Sequence, residues 1–228
     1  MNLRYITATC ALVLLACPAV AVAGILLDKS VVDFKPDEPP RQDVFVINDS
    51  ATDKAYVKVE VLEVVNPGTE QEERRPVSDP DKAQFVASPA KLILPAKGRK
   101  QVRLVNLAAP GSERVFRVNF TPVLPPLQDE GTRIRVVVGY QVLVLIHPDK
   151  PAEKLNVRRD GRTLYFENQG NSYVFVGNGK QCDAKGENCV DLPGKRLYAG
   201  NTWELTLSHD TPVTFTLTNF KGARTETY

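Results

Sequence analysis

Positions 133–147 read Arg-Ile-Arg-Val-Val-Val-Gly-Tyr-Gln-Val-Leu-Val-Leu-Ile-His. Branched apolar side chains favour an extended chain, so this stretch predicts a β-strand. Side chains alternate between the two faces of a strand, which places Ile134, Val136 and Val138 on one face. Arg133 and Arg135 lie on the other. Beyond position 139 both faces are apolar, as in a strand buried on both sides. The second half therefore predicts a core strand, and the first half an edge strand with an exposed apolar face.

Further segments rich in branched or aromatic residues lie on both sides of this strand, with turn residues between them. They occupy positions 24–34, 43–47, 55–65, 91–94, 100–105, 114–122, 155–159, 162–167, 172–176, 203–207 and 213–218. No segment has a convincing helical period. The charged run at 70–75 predicts a solvated loop. Short strands at this spacing predict an all-β fold of two immunoglobulin-like β-sandwich domains.

Two boundaries divide the sequence. An apolar run after Arg4 ends in Ala-Val-Ala at 21–23, which predicts a signal peptide cleaved before Gly24. Positions 148–154 are polar and contain two prolines, as in a stiff linker. The predicted units are a signal peptide at 1–23, an N-terminal domain at 24–147 that includes the 133–147 strand, a linker at 148–154 and a C-terminal domain at 155–228. A lipoprotein acylated at Cys17 is the alternative interpretation of the leader.

Composition excludes several classes of function. The chain has 228 residues, with 29 Lys and Arg against 27 Asp and Glu, and this balance argues against bulk binding of nucleic acid. No segment after the leader has the unbroken apolar run of about 20 residues that a membrane span needs. Phosphate-loop, dinucleotide, nucleophile-elbow and zinc-protease motifs do not occur. We therefore expect a protein that acts by binding, with no enzymatic activity, cofactor, metal or direct insertion into a membrane.

Cleavage before Gly24 would leave Cys182 and Cys189 as the two cysteines of the mature chain. In an oxidising compartment the pair predicts a disulfide, which would stabilise the fold by about 2–3 kcal/mol. A metal site needs about four ligands, whereas His147 and His209 lie far away in the sequence. A redox motif needs the closer Cys-x-x-Cys spacing. A structural disulfide is therefore the favoured interpretation.

Several short motifs follow one another along the chain. They are Leu-Asp-Lys-Ser at 27–30, Val-Phe-Val-Ile-Asn-Asp-Ser at 44–50, Ser-Pro at 88–89, Leu-Pro-Ala-Lys-Gly at 94–98, Val-Arg-Leu at 102–104, Arg-Val-Phe-Arg-Val-Asn-Phe at 114–120, Leu-Pro-Pro at 124–126, Tyr-Phe-Glu-Asn at 165–168 and Tyr-Val at 173–174. In order and spacing they resemble the periplasmic pilus chaperones of the chaperone–usher pathway. The resemblance covers positions 24–176 and implies two immunoglobulin-like domains in a periplasmic protein.

The resemblance also implies a mechanism. Pilin subunits have an immunoglobulin-like fold that lacks its last strand, and these chaperones insert a strand of their own until the next pilin replaces it at an outer-membrane usher. Here the inserted strand would begin at Arg133, with Ile134, Val136 and Val138 in the apolar groove of the pilin. Backbone hydrogen bonds would hold the strand, and pockets would read the side chains. The short loop at 124–131 resembles the short-loop branch, and the chain also resembles chaperones of alpha-type colonisation-factor pili.

One departure concerns the terminal carboxylate of the pilin. Typical family members hold it with an arginine on the first strand and a lysine on the donor strand, but the corresponding positions here are Val31 and Leu143. Candidate replacements, which are equally compatible with ordinary surface or edge roles, are Lys29, Arg133, Arg135 and Tyr140. The rival function is an exported structural or adhesive two-domain β-sandwich protein, with or without a lipid anchor.

Overall fold

The computed structural model describes residues 24–77, 83–124 and 137–228, and these residues form β-strands joined by turns and loops. The strands of the first half are β1 (Ile25–Leu27), β2 (Val31–Phe34), β3 (Arg41–Asn48), β4 (Ala55–Val65), β5 (Glu73–Pro76), β6 (Phe85–Ser88), β7 (Lys91–Leu94), β8 (Arg99–Asn106), β9 (Arg114–Val123) and β10 (Tyr140–Ile146). Those of the second half are β11 (Leu155–Asp160), β12 (Thr163–Asn168), β13 (Val174–Gln181), β14 (Val190–Leu192), β15 (Lys195–Leu197), β16 (Thr202–Thr206), β17 (Thr214–Asn219) and β18 (Gly222–Thr227).

The first half folds into a sandwich of two sheets. One sheet has the order β1-β3-β8-β6, and the other has the order β2-β10-β9-β4-β5 with β7 also beside β4. Neighbouring strands are antiparallel except β2 and β10, which run parallel. The chain therefore changes sheets between β1 and β2. The charged run predicted as a loop ends in β5, whose residues are all exposed, because an edge strand with both faces in water needs no apolar pattern.

Alternation along the strands builds the core of this sandwich. Val57 and Val59 of β4 and Val142 and Val144 of β10 face inward and are almost fully buried, together with Phe116 of β9. Lys58 and Glu60, which alternate with the inward valines, point outward and form an ion pair of 2.7 Å. The period-2 pattern seen in the sequence thus has its usual cause, a sheet with one face packed on the core.

The second half forms a smaller sandwich, with one sheet of order β11-β12-β16 and another of order β14-β13-β17-β18, where β15 also pairs with β13. Phe166 and Phe215 meet edge to face in its core, with ring centroids 5.7 Å apart. Cys182 and Cys189 form a disulfide that closes the loop between β13 and β14. The predicted disulfide is confirmed.

The two sandwiches pack against each other through an apolar contact cluster. Val115, Leu143 and Leu145 of the first sandwich lie in this cluster with Tyr173 and Tyr198 of the second. The all-β fold of two β-sandwich domains is thus confirmed, whereas the exact domain limits stay a prediction and the leader lies outside the described residues. Within the described ranges, no helix is long and apolar enough to cross a membrane.

Candidate functional site

Strand β10 has an incomplete set of neighbours. Along its whole length it pairs with β9, from Tyr140 opposite Phe120 to Ile146 opposite Arg114. On the other side of β10, pairing with β2 begins only at Leu143, which lies opposite Val31. The backbone N–H of Leu143 donates to the carbonyl of Ser30 at 2.9 Å. In the part of the chain that the structure describes, residues 140–142 therefore have no strand on that side. Their backbone leaves an open edge to which another strand can be added.

The residues directly before this open edge are apolar and exposed. Val137 and Val138 expose 42% and 49% of their surfaces, and Leu124, the residue after β9, exposes 42%. Of the predicted donor residues, Val138 is thus placed beside the open edge. Ile134 and Val136 lie outside the described residues. An exposed apolar run beside an unpaired strand edge is typical of a surface that binds another protein.

The two positions where the family's basic pair is expected do come together. Val31 and Leu143 are partners in the pairing of β2 with β10, and Arg117 of β9 is the partner of Leu143 on the other side. Paired residues on neighbouring strands project to the same face, so an arginine lies next to the expected position. The Nε atom of Arg117 is buried and has no hydrogen-bond partner among the described residues.

Arg117 was missed in the sequence because it lies on a different strand from either family position. The signal was its place in β9, where it alternates with the buried Phe116 and Val118 and so belongs to the outer face of the sheet. That inference also needed the register of β9 against β10, which a single sequence does not supply.

The four residues that the sequence offered as candidate contacts for the pilin carboxylate lie in different surroundings. Lys29 lies in the turn between β1 and β2, with its Nζ 4.0 Å from Asp28 Oδ2. Tyr140 is half-buried and packs against the core of the first sandwich, on the same side as its partner Phe120. Arg133 and Arg135 lie outside the described residues. The roles of these four residues in holding a carboxylate stay predictions.

The second sandwich contributes an arginine beside the contact cluster. The guanidinium carbon of Arg196 lies 4.7 Å from the ring centroid of Tyr173, and its Nε is buried without a hydrogen-bond partner in the described chain. Burial, with a smaller contribution from Asp33, raises the pKa of Tyr173 to about 12. Tyr173 is therefore neutral at ordinary pH and offers Arg196 an aromatic face.

A second apolar surface lies on the same sheet, and we call Tyr56, Ile93 and Val123 the apolar patch. Tyr56 of β4 is the register partner of Ile93 on β7 and of Val123 on β9, so the three side chains form one row. Their exposed fractions are 45%, 53% and 51%. Exposed apolar side chains that adjoin one another, unlike single ones, can mark a site of contact with another protein.

The sequence has relatives among fimbrial proteins of Escherichia coli, although no family model matches it. It is 25% identical to a protein named as a CFA/I fimbrial subunit over 224 residues, covering 93% of this chain and 92% of that protein. It is 28% identical to a protein named as a CS1 fimbrial subunit over 204 residues, covering 84% of each.

Several solved structures of fimbrial chaperones have a similar fold. The class 5 fimbriae chaperone CfaA matches 90% of this chain and 98% of its own, with a TM-score of 0.68 and 23% identity. The chaperone in a chaperone–tip adhesin complex of CFA/I fimbriae matches with the same coverage, a TM-score of 0.67 and 24% identity. The SafB chaperone of Salmonella enterica, solved with the SafA pilin, covers 92% of this chain and 98% of its own at a TM-score of 0.62 and 17% identity. The chain thus has the fold of the chaperone–usher fimbrial chaperones, as its sequence resemblance to them predicted.

Proposed function

We propose that this protein is a periplasmic chaperone that binds pilin subunits by donating a strand and delivers them to an outer-membrane usher. The observation that carries the proposal is the open edge of β10 at residues 140–142, next to the exposed Val137 and Val138. The likeness to CfaA, a class 5 chaperone, supports placing the chain in the alpha-type branch. Binding accounts for every feature of the site, so the proposed function includes no catalytic step.

The open edge supplies both parts of strand addition. Backbone N–H and C=O groups of an unpaired edge hold an added strand, and alternate side chains read its partner's groove. We propose that Ile134, Val136 and Val138 enter the pilin groove. Each would contribute roughly 1.5–3 kcal/mol if it became fully buried.

The pilin carboxylate needs a cation near Val31 and Leu143, since burying an unpaired carboxylate is costly. Arg117 is a positive side chain that the register brings directly beside this position. We propose that Arg117 supplies this charge, with Arg133 and Arg135 as further contacts. Lys29, which has Asp28 as a neighbour, and Tyr140, which packs on the core, are the weaker candidates.

Delivery needs a surface that stays accessible while pilin is bound. The apolar patch of Tyr56, Ile93 and Val123 lies on β4, β7 and β9, and its Ile93 end on β7 is separated from β10 by β4 and β9. We propose that the usher contacts this patch. A patch of this kind would be buried in the complex, and its burial would favour transfer of the loaded chaperone.

Two neighbouring residues give a matched test. Val138 and Val137 are similarly exposed, but alternation directs only Val138 to the inserted face. Val138→Asp should abolish co-purification of pilin, because the charge would have to be desolvated in an apolar groove. Val137→Asp should retain it, and Val136→Asp should behave like Val138→Asp. Circular dichroism of the free proteins checks folding. Pilin capture by Val138→Asp at wild-type yield would refute the proposal, as would membrane-bound polymers of this chain.

A further inference from the structure

A histidine is buried where the two sandwiches meet. The His147 side chain is fully enclosed, with its Nε2 3.0 Å from Asp33 Oδ1 of β2. Its Nδ1 lies 3.0 Å from Glu113 Oε2 and 2.9 Å from the Oγ of Ser172. The ring of Phe220 covers it at a centroid distance of 4.1 Å. We call His147, Asp33, Glu113 and Ser172 the interdomain joint, because Ser172 belongs to the second sandwich and the other three to the first.

The geometry of the joint fits a doubly protonated imidazole. Both ring nitrogens face a carboxylate oxygen, which can only accept when it is ionised. An imidazolium donates from both nitrogens, so Ser172 is free to donate its hydroxyl proton to Glu113 Oε2 at 3.0 Å. In neutral His147 with the proton on Nε2, the bare Nδ1 would face Glu113. The Ser172 hydroxyl would then turn to Nδ1, and Glu113 would lose two donors.

The loss of these two hydrogen-bond donors would be energetically costly because Glu113 is buried. Its side chain is 1% exposed, and its Oε1 has no hydrogen-bond partner among the described residues. Its Oε2 also accepts from the backbone N–H of Tyr173, a residue of the second sandwich, at 3.1 Å. A buried carboxylate that loses its nearby cation is strongly destabilised where it stands. Loss of the His147 proton therefore weakens a contact that joins the two sandwiches.

Charged and titratable side chains approach His147 from each element around it. They are Asp33 on β2, Lys35 and Glu38 after β2, Glu113 before β9, Asp149 after β10, Tyr173 before β13, and Lys221 after Phe220, with Arg196 on β15 against the ring of Tyr173. The two charged groups in hydrogen-bond contact with His147, Asp33 and Glu113, are both acidic. The imidazolium is the cation that these two carboxylates share.

We propose that the interdomain joint is a proton-dependent switch, in which protonated His147 fixes the two sandwiches together and deprotonation loosens them. The inference concerns the free protein and needs no pilin. Burial by itself would lower the pKa of His147, but the hydrogen bonds and charges of Asp33 and Glu113 raise that pKa above its ordinary value of 6.5. The stabilising contribution is therefore complete below the unfolded-state pKa and is lost as pH rises through the folded-state pKa.

Nuclear magnetic resonance of ¹⁵N-histidine-labelled protein tests the switch, since His147 and His209 are the two histidines of the sequence. His209→Gln assigns the signals. Both nitrogens of His147 should carry protons at pH 6. As pH rises and His147 titrates, the hydrogen-exchange protection factor of the Tyr173 amide should fall by about tenfold or more. A His147 with one N–H at pH 6, or a Tyr173 protection factor that stays constant through the titration, would overturn the proposal.

Two variants separate the switch from simple destabilisation. In His147→Gln the Tyr173 protection factor should be low at every pH and show no step. Asp33→Asn removes one acidic partner, so the midpoint of loosening should move to lower pH while the fold is retained. If His147→Gln does not fold, Asp33→Asn alone decides: an unchanged midpoint refutes the switch.

Discussion

Val31 and Leu143 are register partners in the parallel pairing of β2 with β10, at the point where β2 first covers β10. Typical pilus chaperones have an arginine and a lysine at the two positions that correspond to Val31 and Leu143. Here both residues are apolar, and Leu143 is 7% exposed. The two positions are still adjacent in the sheet, but neither side chain carries a charge. Arg117 of β9, the partner of Leu143 on its other side, carries a positive charge next to these two positions.

Arg117 offers a direct test of how the pilin terminus is held. Arg117→Leu should weaken pilin capture by about tenfold or more, because a buried carboxylate would lose its charge partner. Binding is measured by titration with purified pilin complexes. Pilin with an amidated C-terminus serves as the control. Wild-type protein should lose affinity for it, whereas Arg117→Leu should bind amidated and natural pilin alike. Additive effects of the two changes would show that Arg117 does not contact the carboxylate.

The apolar patch predicts a separation of capture from delivery. Ile93→Ser should leave pilin affinity unchanged and reduce the number of fimbriae on cells, since Ile93 on β7 is separated from β10 by β4 and β9. Leu107→Ser is the matched control, because Leu107 is similarly exposed, at 57%, but lies outside the patch. Fimbriae are counted by electron microscopy. Equal losses in both variants would exclude a specific role for the patch.

The disulfide should stabilise the second sandwich without taking part in binding. Replacing Cys182 and Cys189 by serine should lower the free energy of unfolding by about 2–3 kcal/mol, the loop-closure contribution of a short loop. Thermal denaturation with and without reductant measures the effect, and reductant should no longer matter in the variant. Pilin capture should persist at low temperature. A folded variant that cannot capture pilin would assign the loop to the binding site.

Asn168 shows why the second-sandwich motif contains an asparagine. Its buried Nδ2 donates to the carbonyls of Ser172 at 2.8 Å and Leu197 at 2.9 Å, and its Oδ1 accepts from the N–H of Gly170. Asn168→Ala would leave these buried groups without partners and should cost about 2–3 kcal/mol in urea unfolding. Asn156→Ala, at an exposed position of β11, should change stability by less than about 0.5 kcal/mol. Similar values for the two variants would contradict this role.

The parts of the fold that depend on local pattern could be predicted from the sequence. Alternation in 57–61 and the spacing of Cys182 and Cys189 were sufficient, because a half-buried strand and a short disulfide loop leave local signatures. The stretch 24–34 was predicted as one strand, yet it forms β1 and β2 in different sheets. Its apolar pattern is the same in either sheet, so only tertiary pairing reveals the change.

The candidate site was harder, because its features join distant parts of the chain. The pairing of β9 with β10 places Arg117 beside Leu143. The two acidic partners of His147 are distant in the sequence: Glu113 lies 34 positions before it and Asp33 lies 114 positions before it. A lone histidine before a proline carries no sign of two carboxylates. Such relationships are properties of register and of domain packing, which the sequence does not display.

The place where β2 begins also limits what can be added to β10. A strand laid along the open edge lies in line with β2, and the backbone of Ser30 already accepts the hydrogen bond of Leu143. The added chain must therefore stop or turn away before it reaches Ser30. Because β2 already occupies the edge of β10 from Leu143 onward, the open edge would favour a segment that ends before Ser30 over a segment that extends past it. The start of β2 would thereby favour a chain terminus over the interior of a longer polypeptide at this edge.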